Sequence, residues 1–126
     1  MSDFESWFLQ AVHDLDAAKA HLDAAFYDWS CFACQQAIEK ALKALYIQQR
    51  KSLPPKTHLN EVLAMELKLP EDFLRGAART SGDYLVARYP DSIEGVPFES
   101  YSSELTLDRI ATAEKILAYV KGKLYG

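Results

Sequence analysis

Between Trp29 and Arg50 the chain carries Cys31, Phe32, Cys34, Ile38, Ala41, Leu42, Leu45, Tyr46 and Ile47. Wound at about 3.6 residues per turn, these apolar residues nearly encircle a helix. Such a helix belongs at the centre of a bundle or against another subunit, so other helices must cover it. The sequence supplies them. From Asp3 to about Ala25, the residues Phe4, Trp7, Phe8, Ala11, Leu15, Ala18, Leu22 and Ala25 recur at spacings of three and four. Leu107, Ile110, Ala113, Leu117, Val120 and Leu124, with Ile116 alongside, form a similar stripe near the C-terminus.

Punctuation divides these segments. Phe26-Tyr27-Asp28 reads as a tight connection, with Asp28 as the N-cap of the helix from Trp29 to about Arg50. Pro54-Pro55 ends that helix. Thr57 suits the N-cap of a short helix from His58 to about Leu67. Pro70, followed by Glu71 and Asp72, opens a helix to about Ala87, weakened locally at Gly76 and Gly82. From Arg88 to Tyr101 the pattern stops, which predicts a loop. Ser102 or Ser103 caps the last helix. No strand pattern and no repeat competes. The fold class is therefore all-α: one domain over residues 1–126, an antiparallel up-and-down bundle of four main helices plus one short helix. Trp7 and Trp29 are expected in its core.

A chain of 126 residues that is 49% hydrophobic can build one core without staples. No apolar run approaches the roughly 20 residues of a membrane span. The stretch MSDFESWFLQ does not resemble a secretory signal. A cytoplasmic protein without membrane contact is expected by default. The net charge of −4 argues against a non-specific nucleic-acid coat, which needs many Lys and Arg contacts to phosphate. The charge is uneven. Asp3, Glu5, Asp14, Asp16, Asp23 and Asp28 face Lys19 alone, whereas Lys40, Lys43, Arg50, Lys51 and Lys56 face Glu39. The basic stretch leaves room for a local anion site. Cys31 and Cys34 form a Cys-x-x-Cys, but Phe32 and Ala33 between them are apolar and no second Cys or His pair stands at zinc spacing. Sharing one helix face, the two thiols are read as core residues. No metal site and no cofactor is expected.

Three stretches now matter together: YDWSCFACQQAIEKALKALYI (Tyr27 to Ile47), KTHLNEVL (Lys56 to Leu63) and YLVARYPD (Tyr84 to Asp91). In this order, followed by a helix opening near Tyr101, they resemble the HEPN family over roughly Glu5 to Lys121. The resemblance implies a dimeric bundle, often working beside a minimal nucleotidyltransferase in a two-component, toxin–antitoxin type system. Many such relatives are RNases, marked by an Arg and a His four to six residues apart. That signature is absent. The histidines are His13, His21 and His58, and Arg50 precedes His58 across the Pro-Pro loop with too wide a separation.

The resulting expectation is a homodimeric module that binds a nucleotide, or a minimal nucleotidyltransferase partner, near the loop from Arg88 to Asp91 and the face carrying Lys40 and Lys43. Arg88 suits either a helix C-cap or an anion clamp, with Tyr89 stacking on a base. Lys40 and Lys43, on one helix face, suit either solvated or ion-paired side chains, or part of a phosphate site. Gln35 and Gln36 suit a buried structural network. The alternative is a metal-independent endoribonuclease using His58 with Arg88 or Arg50 of a partner chain.

Overall fold

The computed structural model describes residues 2–92 and 95–126. Its elements in chain order are α1 (Asp3–Asp23), α2 (Tyr27–Arg50), α3 (Asn60–Glu66), α4 (Glu71–Ser81), α5 (Asp83–Val86) and α6 (Ser103–Tyr125). Two 3₁₀ turns, Pro90–Ser92 and Pro97–Ser100, lie between α5 and α6. Among the described residues there is no strand, as the apolar spacing requires. α1 and α2 are joined by so few residues that they run antiparallel.

α2 is the axis of the bundle. Cys31, Cys34, Ala37, Ile38, Ala41, Leu42, Ala44 and Leu45 are almost completely buried. α1 covers it through Phe8, Ala11, Leu15 and Ala18, and α6 through Ile110, Ala113, Ile116, Leu117, Val120 and Leu124. Leu63 and Ala64 of α3 and Ala77 of α4 close the remaining side. The nearly all-round apolarity of α2 is thus satisfied inside one chain. Cys31 and Cys34 are both free and buried, as expected of core thiols. Burial pushes the Cys31 thiol up to about 11, against the hydrogen-bonding pull of Thr106, and pushes Cys34 up as well.

Local chemistry corrects several boundaries. Asp28 is not the N-cap of α2; the helix begins at Tyr27 and Phe26 takes the capping position. The reversal there is made by Ala25 in the left-handed region (φ 63), so Asp28 lies in the first turn, where it complements the helix dipole. Thr57 does not cap α3. Its Oγ1 accepts from Leu59 N at 3.1 Å in a local turn, and α3 starts later, at Asn60. The helix expected from Pro70 to Ala87 is two helices, interrupted at Gly82. Ser102 caps α6 by accepting from Leu105 N at 3.1 Å. Trp29 is 44% exposed, not core, whereas Trp7 packs partly against the core. In the expected loop, Ile93 and Glu94 lie outside the described residues.

At Gly76 α4 lies close against Thr112 and Ile116 of α6. A Cβ there would stand 2.9 Å from Cγ2 of Thr112. Asp83, Arg109 and Tyr101 tie the start of α5 to α6 and to the loop before it. Arg109 Nε donates to Asp83 Oδ2 at 2.9 Å and Tyr101 Oη donates to Oδ1 at 2.8 Å. Burial raises the Asp83 carboxyl above its ordinary value, although Arg109 and Tyr101 favour its charge.

No helix among the described residues is long and apolar enough to cross a membrane.

Candidate functional site

One face of α2 carries Gln35, Glu39 and Lys43, all buried. Glu39 is 4% exposed and Lys43 7%. Lys43 Nζ donates to Glu39 Oε2 at 3.1 Å. The other oxygen, Oε1, accepts from Gln35 Nε2 at 3.1 Å and meets His58 Nδ1 at 2.9 Å. A buried ion pair survives only when further hydrogen bonds satisfy its atoms, and here they do. Gln35 Nε2 also donates to the His58 carbonyl at 3.0 Å, and Gln36 Nε2 donates to Gln35 Oε1 at 2.7 Å. Gln35 thus sits in the buried network expected of it, whereas Gln36 is only half-buried and joins the network from its edge. Below it, Asn60 Nδ2 donates to Gln35 O at 3.3 Å and Thr80 Oγ1 at 3.0 Å.

An ionised carboxylate accepts and cannot donate. The hydrogen between Glu39 and His58 is therefore on Nδ1, and Nε2 is the ring nitrogen left over. The Pro-Pro connection brings His58 to α2, and the break at Gly82 turns α5 toward it. The ring of His58 stacks on Tyr84 with centroids 3.8 Å apart and planes 10° apart.

Arg88 follows one turn later. Its Nε donates to the Tyr84 carbonyl at 2.8 Å, which closes the end of α5. Its guanidinium carbon lies 4.4 Å from the ring centre of Phe32, 4.5 Å from Tyr84 and 4.9 Å from Tyr89. Among the described residues it has no acidic partner. Arg88 thus uses one nitrogen as a cap while its remaining charge rests on aromatic faces. Tyr89 is 46% exposed. Beside this cluster lies a cavity of about 390 Å³, lined by Lys56, His58, Leu59, Tyr84 and Leu85 among others.

His58 and Arg88 are therefore brought together on Tyr84, with Tyr89 against the Arg88 guanidinium. Asp91 is exposed in the following 3₁₀ turn. Lys40 and Lys43 do not join them, and the exposed anion face expected of these lysines is not formed. Lys40 Nζ is paired with Asp14 of α1 at 2.5 Å, and Lys43 is buried against Glu39 with its ammonium 5.7 Å from the Trp7 ring. Arg50 donates to the Glu66 carbonyl at the end of α3 and lies over Tyr46. Among the described residues no group of His, Cys, Asp or Glu could hold a metal ion.

Sequence reasoning missed Glu39 as the partner of His58 and Tyr84 as the shared platform. By spacing alone, Glu39 and Lys43 are no different from an ordinary exposed i, i+4 pair. The signal for burial was there, since apolar residues surround both positions on the helix. Nothing local marked Tyr84.

The model of the HEPN domain family matches residues 4–123. Among solved structures, TT1696 from Thermus thermophilus is 33% identical, with a TM-score of 0.90 over 98% of this chain and 99% of its own. ST0689, described as an archaeal HEPN homologue, is 34% identical, with a TM-score of 0.82 over 98% of each chain. A HEPN domain protein from Thermotoga maritima is 29% identical, with a TM-score of 0.73 over 94% of this chain and 97% of its own. No curated protein matches. With the family model spanning nearly the whole chain and the bundle reproduced in these structures, the chain belongs to the HEPN domain family.

Proposed function

We propose that this chain is a binding module that takes a nucleotide or an RNA phosphate at the surface of His58, Tyr84, Arg88 and Tyr89. The observation that supports it is Arg88. A guanidinium held by its Nε and lacking an acidic partner among the described residues offers its terminal nitrogens to a phosphate. Tyr89 offers a ring to a base, and Lys56 adds charge on the neighbouring cavity. Asp91 would accept from a sugar hydroxyl. Titration of ATP, GTP and tRNA by calorimetry tests this. Arg88→Ala is expected to weaken binding at least about tenfold, near 1.4 kcal/mol, with unchanged helical content. Equal affinity of wild type and variant for every ligand sinks the site.

The module would act as a homodimer beside a minimal nucleotidyltransferase in a two-component, toxin–antitoxin type system. Leu59 and Leu85, exposed next to the site, are the apolar surface a second copy would cover. Ultracentrifugation at micromolar concentration is expected to give a dimer mass, and Leu85→Glu a monomer. A wild-type monomer refutes it. A pull-down that recovers no nucleotidyltransferase argues against the two-component role.

A second reading is favoured by the bond from His58 to Glu39. A histidine oriented by a buried carboxylate, near an arginine, is equipped to move a proton during metal-independent RNA cleavage. Incubation with tRNA and total RNA from about pH 6 to 8, where histidine changes charge, decides it. Intact RNA throughout removes the enzymatic reading and leaves the binding one standing.

A further inference from the structure

The turn between α1 and α2 and the second 3₁₀ turn enclose a cleft of about 630 Å³. Its walls are aromatic: Phe26, Tyr27 and Trp29 from the start of α2, Phe98 and Tyr101 from the opposite side. Phe26 is 56% exposed and Phe98 64%, while Tyr101 is buried and fixed through its hydroxyl to Asp83. Two carboxylates, Asp28 and Glu99, complete the lining. Neither has a side-chain hydrogen bond or ion pair among the described residues, and no Lys, Arg or His lines the cleft.

We infer that this cleft binds a small organic cation of the quaternary-ammonium type. The chemistry selects it in three steps. Large rings left open to water favour a ligand with an apolar surface. Ring faces carry negative charge density, and they attract cations desolvated against them. The two carboxylates reinforce that sign. The positive end of α2 offsets about half a charge of Asp28, and Glu99 remains uncompensated. An anion finds no cationic side chain here, only the helix end and the neutral Tyr27 hydroxyl and Trp29 indole N–H, and it would face two carboxylates. An inorganic divalent ion would need more oxygen ligands than two carboxylates supply. A methylated ammonium satisfies both features, since its methyl groups lie on the rings and its charge faces the acids.

This site is separate from the Arg88 surface and does not depend on that proposal. The probe is choline, with 3,3-dimethylbutan-1-ol as the neutral compound of the same shape, followed on the indole N–H of Trp29 by NMR. Choline is expected to shift that signal saturably and to bind at least about tenfold more tightly than the alcohol. Glu99→Gln and Phe98→Ala, both exposed substitutions that leave the bundle intact, are each expected to weaken choline binding at least about fivefold. Arg88→Ala is expected to leave it unchanged. Absence of saturation up to about 50 mM, well above the millimolar range of weak specific binding, overturns the inference. So does equal affinity for the uncharged alcohol, or full binding by Phe98→Ala and Glu99→Gln.

Discussion

The imidazole of His58 lies flat on the phenol ring of Tyr84, 3.8 Å centre to centre, while its Nδ1 is tied to buried Glu39 at 2.9 Å. One side chain thus joins the loop after Pro54-Pro55 to both α2 and α5. The stack places the His58 ring protons in the shielding cone of Tyr84. Tyr84→Leu is expected to move the His58 ring signals downfield in the NMR spectrum and to cost about 1 kcal/mol of stability. Unmoved signals would mean that the stack does not exist in solution.

Glu39 neutralises a lysine that is nearly out of water. Glu39→Ala is expected to destabilise by about 3–5 kcal/mol, because Lys43 is left buried and unpaired. Adding Lys43→Met should recover most of that loss, since a matched apolar pair replaces a matched ionic one. Denaturant unfolding of the single and double variants measures it. Additive losses would show that the two residues do not act as a pair.

At Gly76 helix propensity and packing oppose each other. Alanine would gain about 1 kcal/mol of helix propensity. Its Cβ would meet Thr112 Cγ2 at 2.9 Å, a methyl on a stiff β-branched side chain. Overpacking of this kind costs about 1–3 kcal/mol, so Gly76→Ala is expected to be net destabilising. Thr112→Ser removes that methyl and keeps the hydroxyl that bonds Asp108 O and Arg79. The double variant should unfold at a higher denaturant concentration than Gly76→Ala alone. Failure of the rescue would locate the clash elsewhere.

The buried thiols give the chain a defined alkaline response. Cys31 is raised from 9.0 to about 11, so it keeps its proton in the folded state while the unfolded thiol loses it. A raised value means that stability is whole below pH 9 and falls as pH climbs toward 11. Cys31→Ala with Cys34→Ala should flatten that fall. At about pH 8, iodoacetamide is expected to label neither thiol in the native protein and both in denaturant. Rapid native labelling would contradict their burial.

The helices were legible because their signal is periodic and repeated. α1, α2 and α6 follow their apolar stripes to within a turn. The misread places are those where a single backbone angle or one tertiary contact decides. Ala25 in a left-handed conformation displaced the start of α2, and Gly82 split a helix whose sequence continued the pattern. For the site, the sequence pointed to His58, Arg88 and Tyr89 but not to what assembles them. Tyr84 touches His58 through a fold-level encounter that no spacing encodes. Lys40 and Lys43 followed the same helix period as any exposed pair, and burial by α1 and Glu39 took them out of reach.

The interruption at Gly82 leaves Tyr84 on a helix of 4 residues, closed by Arg88 just beyond its end and anchored at its base by Asp83 to Arg109. So short a helix cannot hold itself together and borrows its order from its neighbours. Its amides should therefore exchange with solvent through local opening at far lower free energy than those of α2, which open with the whole bundle. Any ligand that fixes Arg88 would slow that exchange in α5 and leave α2 untouched. If the proposed site at Arg88 takes a ligand, α5 would thereby report its occupancy amide by amide, even with the bound molecule unknown.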